Sequence, residues 1–207
     1  MIPVRDVIPS RRPPIVTVAL ILVLVLVHAS GALDGPTGRA WLERAGGGES
    51  HRAVLGLFRQ DGWLSLAAAL VFLWVFGENV EDRLGRVRFA LLFAGGGLAA
   101  AAAQAAVPVF PASGIGASGA VAGVLGAHLV LFPRSRVLLF VPLPGFVDVV
   151  EAPVVHLMMV WLLIQLALSF GAPDRTLLVN AAGFLAGAGL VVALGGPARK
   201  SEYWTAG

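Results

Sequence analysis

Apolar residues gather along this chain into long blocks separated by short polar or Gly- and Pro-rich stretches. Six blocks stand out: Ile15 to Leu33, Trp63 to Phe76 with some upstream extension, Phe89 to Val107, Ser118 to Phe132, Val154 to Phe170, and Leu177 to Leu194. They approach the ~20 residues that carry a helix across a hydrocarbon core. Inside such a core, helices satisfy their own backbone hydrogen bonds. The pattern predicts an all-α, polytopic membrane protein with six transmembrane helices. The second and fourth blocks hold only about 15 clearly apolar residues, so they cross only if their ends extend or protein surrounds them. A packed bundle with short central helices is expected.

The connections refine this. "DGPTGRAWLERAGGGESHRAVLGLFRQDG", between the first two blocks, mixes Gly, charge and apolar residues as short interfacial helices do. "PRSRVLLFVPLPGFVDVVEAP", between the fourth and fifth, is apolar but broken by Pro142, Pro144 and Pro153. Proline removes a backbone donor and breaks helices, so an interfacial segment is expected there, not a seventh span. The first block, with its basic start and small-residue exit, also resembles a signal peptide. Its length and the charge pattern below favour a retained span. No repeat or domain linker is visible, and the reading is one membrane domain at 15–194 between tails at 1–14 and 195–207.

Composition agrees. The 207 residues are 57% hydrophobic and 13% charged, against roughly 25% charged in soluble domains; mean hydropathy is +0.85. The 15 Lys and Arg are scattered at block ends without a basic stripe, which argues against a nucleic-acid partner. One set of alternating connections carries Arg5, Arg11, Arg12, Arg83, Arg86, Arg88, Arg134, Arg136, Arg199 and Lys200; the other carries Arg39, Arg44, Arg52, Arg59 and Arg175. The positive-inside rule then puts both termini in the cytoplasm. Cysteine is absent, which excludes disulfides and Cys-based metal sites or nucleophiles. No metal-ligand cluster, P-loop or dinucleotide fingerprint is present, and neither metal nor cofactor is expected.

Candidate chemistry centres on "GIGASGA" at 114–120, where Ser118 stands between small residues just before an apolar run. Four stretches, "MIPVRDVIPSRRPPIVT", "GWLSLAAALVFLWVFGENVEDRLGR", "GIGASGAVAGVLGAHLVLFP" and "NAAGFLAGAGL", in this order and spacing, resemble the rhomboid family of intramembrane serine proteases, particularly its bacterial members. The resemblance covers nearly the whole chain. It implies a six-helix bundle in a bacterial cytoplasmic membrane and a serine nucleophile early in helix 4, which falls on Ser118. It also implies a histidine base on helix 6, and a histidine and an asparagine on helix 2 beside the oxyanion.

The chain departs from this pattern where proton transfer matters. Gly183 and Gly187 set the helix 6 register, and the base position is Asn180. A carboxamide takes up no proton at accessible pH, so it can hydrogen-bond a serine without activating it. On helix 2 the oxyanion positions are Ser65 and Ala69, and an upstream position that commonly holds histidine is Gln60. Each lost oxyanion donor costs about 100- to 1,000-fold in rate, and loss of the base on the order of a million-fold. Ala122, one turn after Ser118, lacks the aromatic ring on which the family's histidine stacks. Substitute bases are poorly placed: His128 is roughly 15 Å along the same helix, His156 belongs to the cytoplasmic end of helix 5, and His28 and His51 sit near a helix end and in a loop.

A packing role fits the same residues. Gly116 belongs to the motif, Gly119 and Gly123 form one small-residue stripe, and Gly183 and Gly187 form another on the face bearing Asn180. Such stripes let membrane helices approach closely, which would bring Ser118 and Asn180 together as a neutral hydrogen-bonded pair. Glu81, Asp82, Arg83 and Arg86 are expected to tie the second loop together. The favoured reading is a proteolytically inactive rhomboid-like protein whose partners are the bilayer and transmembrane segments of client proteins. The alternative is an active intramembrane serine endopeptidase using Ser118 with a non-standard base.

Overall fold

The computed structural model describes residues 2–6, 13–31, 57–60, 62–106, 117–143, 146–171 and 176–194. Its helices are α1 (Ile15–Ser30), α2 (Trp63–Leu84), α3 (Arg86–Ala106), α4 (Ala117–Leu131), α5 (Val154–Gly171) and α6 (Thr176–Leu194). Three of them, Trp63–Leu84, Arg86–Ala106 and Leu177–Leu194, are long and apolar enough to cross a bilayer by themselves. Helices α1, α4 and α5 are apolar over shorter stretches, Ile15–Ser30, Ala117–Leu131 and Val154–Ala167.

Helix α4 is the hub. It packs on α6, α3 and α2, and every residue from Gly119 to His128 is buried. A 15-residue helix is too short to span lipid unaided, and here protein surrounds it, as the sequence anticipates. The approach is set by glycine. A Cβ on Gly187 would lie 2.6 Å from the Gly123 Cα, and one on Gly183 would lie 3.1 Å from the Gly119 Cα. Two contacts escape the sequence reading: Gly96 of α3, whose Cβ would be 3.1 Å from the Gly123 Cα, and Gly126, whose Cβ would collide with the Phe184 carbonyl. Helices α3, α4 and α6 therefore meet almost backbone to backbone, where dispersion and close packing hold membrane helices together.

The second block extends downstream to Leu84, beyond its expected end at Phe76. A π-helical turn at Leu73–Gly77 passes directly into Glu78–Leu84, and the expected loop shrinks to Gly85, with φ +81°. That conformation favours glycine. Polar "ENVEDR" stays helical because its key charge is used elsewhere. Glu81 is buried, its Oε1 accepting the Val16 N–H at 3.0 Å and its Oε2 accepting the Thr17 N–H at 2.7 Å and hydroxyl at 2.8 Å. Pro14, preceding α1, makes no side-chain cap, so α2 supplies the acceptor that the first turn of α1 needs. The Glu81 tie thus runs between helices.

The expected interfacial segment is a β-hairpin. Strands β2 (Arg136–Leu143) and β3 (Phe146–Pro153) pair antiparallel from Arg136↔Pro153 to Leu143↔Phe146. Strand β1 (Ile2–Asp6) adds antiparallel to β2, giving the order β1-β2-β3. Runs of Val, Leu and Phe with proline favour strands over helix; proline alone showed what the segment could not be. Val137 and Leu139 join the core at the hairpin root, while Arg136 and Glu151 form an exposed bridge of 3.6 Å. Beneath the hairpin, buried His128 packs edge-on to Phe76 and lies 3.2 Å from the Ser135 hydroxyl through Nε2.

Candidate functional site

Ser118 is the second residue of α4, half-buried, at the helix N-terminus. The Ala117 N–H donates to the Arg59 carbonyl at 2.9 Å, which pins this turn against the segment entering α2. Ser118 thus belongs to the first described turn of α4, where helix amides in general lack an intrahelical acceptor.

Asn180 is the residue that the resemblance sets opposite Ser118. Asn180 is buried at 3% exposure, and α6 brings it alongside the start of α4, where a Cβ on Gly119 would lie 3.4 Å from the Cγ1 of its neighbour Val179. The expected Ser118–Asn180 hydrogen bond is not made: Asn180 Nδ2 instead donates to Gln165 Oε1 of α5 at 3.2 Å. Asn180 Oδ1 is buried with no partner among the described residues. The Asn180 carboxamide is held by another carboxamide that offers a complementary acceptor. A polar side chain inside an apolar span commonly hydrogen-bonds a neighbouring helix, and Gln165 does so with Asn180.

The helix 2 positions form a second small network. The Ser65 hydroxyl donates to Gln60 Oε1 at 2.8 Å, so the two residues are joined by a neutral bond. Gln60 is buried and its Nε2 lacks a partner among the described residues. Ala69 is buried at 5% exposure and brings no donor. Gln60, Ser65, Ala69 and Asn180 thus offer carboxamides, a hydroxyl and a methyl group.

No side-chain hydrogen bond joins Ser118 to Asn180 or to a described histidine. His28 packs edge-on against Trp63 with ring centroids 4.6 Å apart. His128 is engaged with Ser135, Phe76 and Phe132, and His156 is exposed near the start of α5. His51 and Gly116 lie outside the described residues. No group of three His, Asp or Glu among the described residues is arranged to hold a metal ion. Chemically, the described site offers hydrogen bonds and a helix N-terminus, with no described acceptor for the serine proton.

The fold and site together define a polytopic helical membrane protein built around a serine-bearing, glycine-packed central helix. The Rhomboid domain model matches residues 47–197, and the chain belongs to the rhomboid family. It is also similar to "Rhomboid protein 1, mitochondrial" of Saccharomyces cerevisiae, at 35% identity over 92 residues, which are 42% of this chain and 26% of the yeast protein. The match thus covers about a quarter of that relative's length. No solved structure matches.

Proposed function

We propose that this chain is an inactive rhomboid that binds transmembrane segments of other membrane proteins. The observation carrying this reading is Asn180: it occupies the position of the family's base, is buried, and has its amide nitrogen committed to Gln165. Without a base, a serine hydroxyl is a poor nucleophile. The altered oxyanion positions Ser65 and Ala69 point the same way. What remains is a bundle with a short central helix and apolar outer faces, suited to lateral contact with client helices in chaperoning, retention or sorting. We further assign it to a bacterial cytoplasmic membrane with both termini inside, on the excess of Lys and Arg over that set of connections.

A serine-reactive fluorophosphonate probe on the purified protein separates this reading from an active endopeptidase. The expected result is no labelling of the wild-type chain. Labelling abolished by Ser118→Ala would establish an unrecognised base and overturn the proposal.

A further inference from the structure

Asn180 has a feature that the loss of a base does not account for. Its Nδ2 donates to Gln165 Oε1, yet its Oδ1, on a residue only 3% exposed, accepts no hydrogen bond among the described residues. A buried acceptor inside a membrane helix has no water to turn to, and leaving it unmet is costly. Gln165 meets half of what this carboxamide offers, because the bond uses the Gln165 oxygen and leaves Asn180 Oδ1 unanswered.

Helix α5, which supplies Gln165, is lightly held at this level. Of its described side chains, 154–167, only Val154, Leu157 and Met158 are buried, all within the first five residues. Farther along, its ties to α6 include the stacking of Trp161 on Phe184, with ring centroids 6.4 Å apart, and the Gln165–Asn180 bond. On the same stretch Met159, Leu162, Leu163, Ile164 and Leu166 are exposed, so this part of α5 meets whatever shares the bilayer with it. Asn180 is the fifth residue of α6, about 6 Å along the helix axis. Its neighbour Val179 faces Gly119, so the unmet acceptor lies toward the end of the bundle that holds Ser118.

The chemistry of a better partner follows from the two Asn180 atoms. Lys and Arg side chains only donate, and an ionised carboxylate only accepts. A carboxamide presents a carbonyl and an NH2 side by side, so it can accept from Nδ2 and donate to Oδ1 in one planar pair. We propose that Asn180 recognises an Asn or Gln side chain within the transmembrane helix of a client, which docks along the α5–α6 seam and displaces Gln165 from Nδ2. This rests on the client-binding reading above and gives it a selectivity: among apolar segments, those with a carboxamide about one turn inside the span are preferred.

The chain holds no cysteine, so Leu185→Cys, at an exposed α6 position, carries a single acceptor dye on the whole chain in phosphatidylethanolamine–phosphatidylglycerol vesicles. A donor-labelled, Lys-flanked peptide of about 20 leucines is compared with the same peptide carrying Asn about one turn from each end, so that either orientation presents one. Energy transfer at a low peptide-to-lipid ratio gives the relative affinities. The expected result is about 3-fold or more tighter binding of the Asn peptide, the equivalent of one net hydrogen bond between membrane helices. That preference disappears in Asn180→Leu and grows in Gln165→Leu, where the competing carbonyl is gone; a merely structural Asn180 would move neither ratio. Equal binding of the two peptides would overturn the carboxamide selectivity and leave client binding standing, whereas binding of neither would overturn both. A preference that survives in Asn180→Leu would place recognition at another residue and overturn the proposal.

Discussion

Asn180 is the residue on which the proposed loss of activity turns, because a carboxamide cannot gain and lose a proton as a base must. Its Nδ2 bond to Gln165 joins α6 to α5. Gln165→Leu removes that bond and leaves the buried carboxamide of Asn180 without it. A side-chain hydrogen bond between membrane helices averages about 0.6 kcal/mol, so the expected loss is small, on the order of 0.5 to 1 kcal/mol in detergent unfolding. An unchanged midpoint would show that the contact contributes nothing. A complementary expectation concerns chemistry: Asn180→His alone leaves Ser65 and Ala69 unsuited to an oxyanion, whereas the triple variant with Ser65→His and Ala69→Asn regains fluorophosphonate labelling. Failure of the triple variant, with its fold retained, would mean that more than these side chains has been lost.

Glu81 and the glycine seam dominate at the scale of elements. Glu81→Leu strips acceptors from the first turn of α1 and leaves the part-buried Val16 donor and the buried Thr17 donors without them. Unsatisfied buried donors cost about 1 to 3 kcal/mol each, so the variant should lose about 3 kcal/mol or more, with Glu81→Gln intermediate. Equal stability of the two variants would deny the capping role. Gly187→Ala forces α6 away from the Gly123 backbone and should cost about 1 to 3 kcal/mol. Gly189→Ala, where a Cβ meets nothing within 4 Å, is the matched control and should be neutral or slightly stabilising; similar losses at 187 and 189 would contradict the seam.

Legibility in the sequence followed the physics of each element. Spacing of glycines was enough to pair α4 with α6, because a missing Cβ is itself the contact. The Glu81 cap was hidden: its partners are backbone amides 64 and 65 positions away, and local sequence reads such a charge as a loop. The hairpin was hidden for another reason, since proline excludes helix without specifying strand register, and the third strand comes from the opposite end of the domain. At the site, family register located Asn180, but the direction of its bond depended on Gln165 from a third helix.

In the whole molecule, a glycine-packed bundle of the rhomboid family holds a site lacking a described base. Its topology is testable on the same cysteine-free background: Ser10→Cys and Ser201→Cys should be modified from the cytoplasmic side, and Thr37→Cys from the other. Modification of residues 10 and 201 from opposite sides would refute the proposed orientation. The central claim is that the scaffold persists while its serine is no longer a nucleophile. Fluorophosphonate labelling of the wild-type chain beside Ser118→Ala tests it most directly: the account predicts the same background signal from both, and strong wild-type labelling that vanishes in Ser118→Ala would contradict it.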